Sequence, residues 1–278
     1  MKKITTFLLA TITATLLLCA AAYANVVFDD SKAKTDGILT IDVSGVKDIA
    51  AKIEKEIVYV QVVLKGKTSV EYQYKIVGEK IAIPLQCGPN EYTIRTIELT
   101  ADGKAKQLAE KFQTKVTIGE VDETKMFVHA SPFVNIDASE EAIPSFQKII
   151  DSKKKNEDKI KDVYNIIIKE YTYDTEFAKI AKSGYLPVID ETYEAKMGIC
   201  YDYAVLFAGV LRSIEIPTKL VMGYASDIGK GEEYHAWNQV YVGGKWVEYD
   251  ATAGASAYQA GKVYASAGTR KMQIVKVY

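Results

Sequence analysis

The chain contains little cysteine and little histidine, with 3 Cys and 2 His among 278 residues. So few cysteines exclude the disulfide framework that holds many small secreted domains together. There is no CxxC or HExxH motif, and two histidines give too few nitrogen ligands for a zinc site, so we expect neither a metal nor a cofactor. The 35 Lys and Arg are balanced by 36 Asp and Glu. This balance gives no electrostatic reason to expect nucleic acid or an anionic membrane as a partner.

The long apolar run of the sequence lies at its start. Lys2-Lys3 precede "ITTFLLATITATLLLCAAA", and Ala22-Tyr23-Ala24 has the small-x-small pattern of a cleavage site. We therefore predict a signal peptide over residues 1–24, no membrane span after its removal, and a secreted or cell-surface location. Two alternatives are weaker. A lipoprotein lipidated at Cys19 is disfavoured, because the residue before Cys19 is not the small residue that lipidation needs. A retained membrane anchor is disfavoured, because several threonines make the run less apolar.

Residues 25–120 have the pattern of short strands. Segments such as "EIVYVQVVL", "SVEYQYKI" and "EYTIRTIEL" are rich in Val, Ile, Tyr and Thr, and "KGK", "VGE", "CGPN" and "ADGK" between the strands are turn signals. We predict a small all-β domain, a sandwich of the immunoglobulin-like kind. Cys87 lies in the "CGPN" turn, and we expect it to be structural.

The period of the apolar residues changes after a transition segment, residues 121–145. "NEDKIKDVYNIIIKEY" places Ile160, Val163 and Ile167 on one face of a helix. "MGICYDYAVLFAGVLRS" again has helical spacing, and strand-like segments with turn signals follow it. The sequence therefore predicts an α+β fold, with a catalytic domain over residues 146–278 that follows the β domain and the transition segment.

Cys200 stands at the start of the second of these helices. The first N–H groups of a helix are unpaired and its dipole favours negative charge, so a thiol there ionises more readily and becomes a nucleophile. The ordinary alternative is a small apolar side chain in the core, because free cysteine is often buried. This segment alone does not distinguish the two interpretations.

A predicted hairpin places a histidine and a carboxylate side by side. "HAWNQVYV" and "KWVEYD" flank Gly243-Gly244, a two-residue turn signal that sets Trp237 opposite Asp250. Side chains alternate with period two, so His235 and Asp250 are diagonal neighbours on one face, roughly 7–8 Å apart at the backbone. A surface histidine near a surface aspartate is the ordinary alternative, and Glu248 is the rival partner of the histidine. A cysteine at a helix start, a histidine and an aspartate form a nucleophile–base–orienter set.

Three segments occur in a fixed order, "GICYDYAVLFAGVLRSIEIPTKLVMGY", "HAWNQVYV" and "KWVEYDAT". This order closely resembles the transglutaminase-like core, a family with a papain-like fold, over about residues 155–278. The resemblance implies that Cys200 is the nucleophile, His235 the base and Asp250 the residue that orients the histidine. Two departures are visible, Glu-Ile-Pro in place of Gly-Ile-Pro and Ala in place of Pro after the aspartate. Neither changes the three implied catalytic positions.

The function implied is a cysteine enzyme that acts on protein or peptide amides through a thioester acyl-enzyme. Hydrolysis by a peptidase or amidase is slightly favoured over crosslinking of Gln to Lys, although both use the same triad. The Cys200 N–H is the natural oxyanion donor, and Tyr173, Tyr185 and Trp237 are candidates for a second. The expected partner is a protein or peptide substrate, including one at the cell wall or surface. The alternative is a non-enzymatic binding or scaffold protein on the same fold, which a replaced triad residue would indicate.

Overall fold

The computed structural model describes residues 26–46, 49, 52–55, 58–99, 104–108, 112–182, 184–227, 231–262 and 270–278. The predicted α+β class is confirmed, because the chain before residue 120 is mainly strand and the rest combines helices with a sheet. The predicted signal peptide, residues 1–24, lies outside the described residues. Within the described part, none of the helices is both long enough and apolar enough to cross a membrane.

The first part of the chain folds into two antiparallel sheets. One contains β1 (Val27–Asp29), β2 (Ile38–Asp42) and β5 (Lys80–Pro84), with the short helix α1 (Ala33–Asp36) between its first two strands. The other contains β3 (Val58–Leu64), β4 (Tyr72–Lys75), β6 (Asn90–Leu99), β7 (Ala105–Gln107) and β8 (Gln113–Ile118). Alternating residues of β3 point to opposite faces, so Val58, Val60 and Val62 are buried while Tyr59 is partly exposed. The immunoglobulin-like arrangement stays a prediction.

Residues 121–145 connect this part to the next. They contain α2 (Glu123–Met126), a 3₁₀ turn (Ile136–Ala138) and the start of α3 (Ala142–Ile149). Phe127 and Val134 are fully buried. The segment therefore packs against both neighbouring parts of the chain, and the domain boundaries we place around it remain a prediction.

The second part is built around one buried helix. It contains α4 (Asn156–Glu170), β9 (Thr172–Tyr173), α5 (Thr175–Ile180), α6 (Ile189–Ala195), β10 (Met197–Gly198), α7 (Cys200–Arg212), β11 (Thr218–Asp227), β12 (Glu232–Val242), β13 (Lys245–Tyr249), α8 (Ala251–Gln259) and β14 (Arg270–Val277). The last four strands form a sheet in the order β13-β12-β11-β14. Every residue of α7 from Asp202 onward is buried. A helix surrounded on all sides is apolar all round, as the sequence of α7 is.

Arg212 ties the end of α7 to three distant segments. It is buried, and its guanidinium donates to the backbone oxygens of Thr218, His129 and Tyr278 at 2.8, 3.0 and 2.7 Å. Burial lowers the pKa of Arg212 to about 9. The Tyr278 ring in turn packs against Tyr72 and Tyr74 of the first part, with 5.6 and 6.1 Å between the ring centroids. The two parts of the chain are therefore joined by a packed interface.

Candidate active site

The backbone before Cys200 is held so that α7 begins at the cysteine. Ile199 has an extended conformation, and its N–H donates to Asp202 Oδ2 at 2.7 Å, which caps the helix. There is no room for a side chain at position 198, since a Cβ on Gly198 would lie 2.6 Å from Asp202 Cβ. The Asp202 carboxylate thus accepts the hydrogen bond of the Ile199 N–H, and the Cys200 N–H at the first helical position is available to a ligand.

The predicted hairpin is confirmed with its register. Val242 pairs with Lys245 and Asn238 with Tyr249, around the turn Gly243-Gly244. His235 and Asp250 are consequently neighbours, and His235 Nε2 lies 2.8 Å from Asp250 Oδ2.

One polar side chain brings this hairpin to the cysteine helix. Asn238 Nδ2 donates to the backbone oxygen of Ala204 in α7 at 2.9 Å and to that of Lys219 in β11 at 3.2 Å. Asn238 is completely buried. The contact fixes β12 against the first turns of α7, and Cys200 lies near enough to the His235 imidazole to raise the pKa of His235. Because Nε2 faces Asp250, Nδ1 is the nitrogen that remains for the thiol.

Asp250 is held by more than the histidine. It is the N-cap of α8, and its Oδ1 accepts the Ala253 N–H at 2.9 Å. The Tyr164 hydroxyl donates to its backbone oxygen at 3.0 Å. The carboxylate is buried and aimed at the imidazole. One helix terminus therefore presents the nucleophile candidate, and another orients the carboxylate.

The charge of His235 is set by two opposing effects. Burial alone would lower the pKa of His235, but hydrogen bonds to Asp250 and Cys200, together with the negative charges of both, outweigh burial and raise the pKa to about 9. The imidazole is therefore protonated at neutral pH. It can pair with a thiolate and can donate a proton to a leaving group.

The second cysteine is a contrasting thiol. Cys87 and Cys200 are both free and both partly buried, so no disulfide joins them in the structure. Burial and the Glu71 carboxylate raise the pKa of Cys87 to about 11, against a smaller opposing effect of Lys276. Cys87 is therefore a protonated thiol at neutral pH.

The three candidates for a second oxyanion donor differ in their surroundings. The Tyr185 hydroxyl donates to Asp202 Oδ1 at 2.6 Å, which commits it to capping α7. Tyr173 lies on β9 beside Gly198, and burial, with the nearby Cys200 charge, raises its pKa. Trp237 stacks on His235, and its buried Nε1 has no hydrogen-bond partner among the described residues. Tyr173 and Trp237 remain as candidates.

Asp202 is a site residue that we did not predict. Its role could have been read from the sequence, because an acidic residue at the third position of a helix often accepts the N–H of the residue before the helix.

In the described part of the chain, no group of three or more His, Cys, Asp and Glu side chains is placed to hold a metal ion.

A cleft of about 550 Å³ adjoins the candidate residues. Ile199 and Tyr201, which flank Cys200 in the chain, line it, as does Tyr234, which precedes His235. Tyr59 of β3 lines it from the first part of the chain. The cleft thus lies between the two parts, next to the residues that flank Cys200 and precede His235 in the chain.

Comparison with known proteins identifies the segment that carries these residues. Residues 145–251 match the family described as the Transglutaminase-like superfamily. The uncharacterized protein YebA of Bacillus subtilis (strain 168) is 32% identical over 112 residues, which are 35% of this chain and 15% of YebA.

Two solved structures are similar over more of the chain. A candidate cysteine protease from Cytophaga hutchinsonii has a TM-score of 0.41 at 15% identity and covers 80% of this chain and 86% of its own. The periplasmic domain of TgpA from Pseudomonas aeruginosa has a TM-score of 0.41 at 14% identity and covers 76% and 96%. The likeness is carried by the sequence match, in which residues 145–251 are similar to the Transglutaminase-like superfamily.

Proposed function

We propose that this protein is a secreted or cell-surface cysteine enzyme that acts on amides of proteins or peptides. Cys200 is the nucleophile, His235 the general acid and base, and Asp250 the residue that orients the histidine. The observation that carries the proposal is the position of His235, whose Nε2 lies 2.8 Å from Asp250 Oδ2 and whose pKa is raised by both Asp250 and Cys200. The reaction passes through a thioester acyl-enzyme, with hydrolysis favoured over crosslinking.

In the first half of the reaction, the Cys200 thiolate attacks the amide carbon and the C–N bond breaks. The tetrahedral intermediate carries a negative oxygen, which the free Cys200 N–H at the start of α7 is positioned to bind. The His235 imidazolium donates its proton to the departing nitrogen, which leaves as an amine or ammonia. The acyl group is now a thioester on Cys200, and His235 is neutral.

In the second half, His235 removes a proton from the attacking water or amine. Water gives a carboxylic acid, and a lysine amine gives a new amide, with Cys200 leaving as the thiolate in both cases. His235 returns to the imidazolium form. We favour water because it is abundant and because no site for a lysine acceptor is evident in the sequence.

The experiment is mass spectrometry of a glutamine-containing peptide incubated with the mature protein, with and without a primary amine. An amine adduct identifies transfer, replacement of NH₂ by OH identifies deamidation, and fragments identify a peptidase. Cys200→Ala is the matched control, since it removes the thiol and little else. If wild type and Cys200→Ala leave a broad peptide library equally unchanged, the enzyme proposal is wrong and a binding or scaffold role replaces it.

A further inference from the structure

We propose that the cleft beside Cys200 binds an aromatic side chain of the substrate, and that the sheet of β3 and β4 forms one of its walls. This inference rests on the proposed function, because it concerns the peptide substrate whose acyl group the Cys200 thiol would accept. It adds a specificity role for residues more than 100 positions away from the nucleophile in the chain.

The wall near the thiol is aromatic. Tyr185, Tyr201 and Tyr234 line it, and the rings of Tyr185 and Tyr201 meet edge to face at 6.2 Å. Tyr234 is 58% exposed, and its ring meets that of Tyr224 edge to face at 5.5 Å. Exposed aromatic rings beside a reactive group are unusual for a solvent-facing surface, because their burial by a ligand is favourable.

The opposite wall comes from the sheet. Tyr59 on β3 and Lys75 on β4 are directly paired, so their side chains share one face of the sheet, and both line the cleft. Gln73, two residues from Lys75, lies on that same face and also lines the cleft. Tyr59 is partly exposed, whereas its neighbours Val58 and Val60 are in the core. Tyr59 can therefore contact a ligand without leaving the packing of the sheet.

The chemistry of the lining selects the occupant. Aromatic rings on several sides favour a flat aromatic group, because edge-to-face and offset pairs add to the area that is buried. Among the described residues that line the cleft are two lysines, Lys75 and Lys182, and no aspartate or glutamate. A basic substrate side chain would meet like charge there.

The test uses small electrophiles that alkylate Cys200 directly. N-iodoacetyl derivatives of Phe-Gly-amide, Ala-Gly-amide and Lys-Gly-amide are compared with iodoacetamide, which fills no side-chain pocket. The measured quantity is the second-order rate of modification of Cys200, followed by peptide mass spectrometry. We expect the Phe compound to react at least ~10-fold faster than the Ala compound, and the Lys compound to be the slowest. Dividing by the iodoacetamide rate removes differences in the thiol itself.

Variants of the sheet wall locate the effect. Tyr59→Ala should reduce the Phe-to-Ala rate ratio severalfold, and Gln73→Ala provides a second variant of the same wall if Tyr59→Ala folds poorly. Tyr258→Ala is the control, because Tyr258 is 48% exposed and lies outside the cleft lining. It should leave the ratio unchanged.

The outcomes separate this inference from the proposed function. Fast modification by iodoacetamide with equal rates for the Phe, Ala and Lys compounds overturns the aromatic site and leaves the nucleophile intact. A Phe preference that folded Tyr59→Ala and Gln73→Ala both retain in full overturns the role of the sheet. Modification of Cys200 by iodoacetamide no faster than that of Cys87 overturns the proposed function itself.

Discussion

The substitution Asp250→Asn separates the two interactions of one carboxylate. Oδ1 caps α8 through the Ala253 N–H at 2.9 Å, and Oδ2 lies 2.8 Å from His235 Nε2. Asparagine caps helices as well as aspartate does, so the contribution of the cap to the free energy of unfolding should change by at most about 0.5 kcal/mol. The interaction that is lost is the negative charge facing the imidazole.

The structure sets the size of that loss. The rise in the pKa of His235 from 6.5 to about 9 corresponds to about 3 kcal/mol of preference for the imidazolium, net of the opposing burial. Without the Asp250 charge, only Cys200 opposes the effect of burial, so the pKa of His235 should fall. The asparagine NH₂ can also donate to Nε2, which favours the tautomer whose proton lies on Nδ1, towards Cys200. We expect turnover to fall by ~10²–10⁴-fold while the fold is retained.

The same change alters the pH dependence of stability. The folded-state pKa of His235 is raised, so its contribution to stability is complete below pH 6.5 and is lost as the pH rises through about 9. In Asp250→Asn this alkaline loss should be smaller than the about 3 kcal/mol of the wild type, because only Cys200 then raises the pKa of His235. Urea unfolding between pH 6 and 10 measures it, since below that range other carboxylates titrate.

The control for this experiment is Glu248→Gln. Glu248 pairs with Gln239 in the hairpin, two residues closer to the turn than Asp250, and has the same charge. Its substitution should leave turnover of the glutamine peptide nearly unchanged. If Glu248→Gln abolishes turnover while Asp250→Asn is tolerated, the assignment of the orienting residue is refuted.

Three further predictions concern the thiols and the packing around the site. Iodoacetamide at pH 7 should modify Cys200 much faster than Cys87, because burial raises the pKa of Cys87 to about 11. Equal rates of modification, measured by peptide mass spectrometry, would remove the basis for the nucleophile assignment. Gly254→Ala should lower the free energy of unfolding by about 1–3 kcal/mol, because its Cβ would lie 2.2 Å from the Tyr164 hydroxyl; an unchanged or raised melting temperature contradicts this. Arg212→Met should cost about 2–4 kcal/mol in urea unfolding, since three buried carbonyls lose a donor, and a loss below about 0.5 kcal/mol would show that these bonds contribute little.

The part of the site that lies within one hairpin was predictable from sequence. A two-residue Gly-Gly turn fixes which residues are opposite each other, and the period of two then fixes which face each side chain occupies. His235 and Asp250 follow from these two rules, and the observed pairing agrees with both. Local geometry carried this inference, so no knowledge of the rest of the chain was needed.

The meeting of α7 with the hairpin was not predictable in the same way. It depends on Asn238 donating to Ala204, a contact between residues 34 positions apart. No local rule gives the partner of a buried amide, because many backbone oxygens of the protein could accept from it. The resemblance to a family supplied this contact, whereas the residue pattern alone left open whether Cys200 was a core residue or a nucleophile.

The wall that Tyr59 contributes to the cleft was missed for a similar reason. The alternation of β3 indicates correctly which of its residues face the core, but the outward face has no partner that the sequence can name. Its position opposite Tyr201 follows from how the two parts of the chain pack. That packing depends on long-range contacts, such as those of Arg212 and Tyr278.

These contacts give the proposed site a rigid support on each side. The Cys200 backbone is fixed by the carboxylate cap of Asp202, the His235 strand by the amide of Asn238, and the Asp250 carboxylate by the terminus of α8. Rigid positioning of the reacting side chains matters, because displacing a reacting group by about 1 Å can greatly lower the rate of the reaction. The cleft has the same kind of support, because the end of the chain, Tyr278, both lines it and is held by a buried guanidinium. The sheet of the first part thus reaches the proposed site through packing, which is how a strand-rich segment outside the proposed triad can contribute to the substrate preference that we propose for the thiol in the second part.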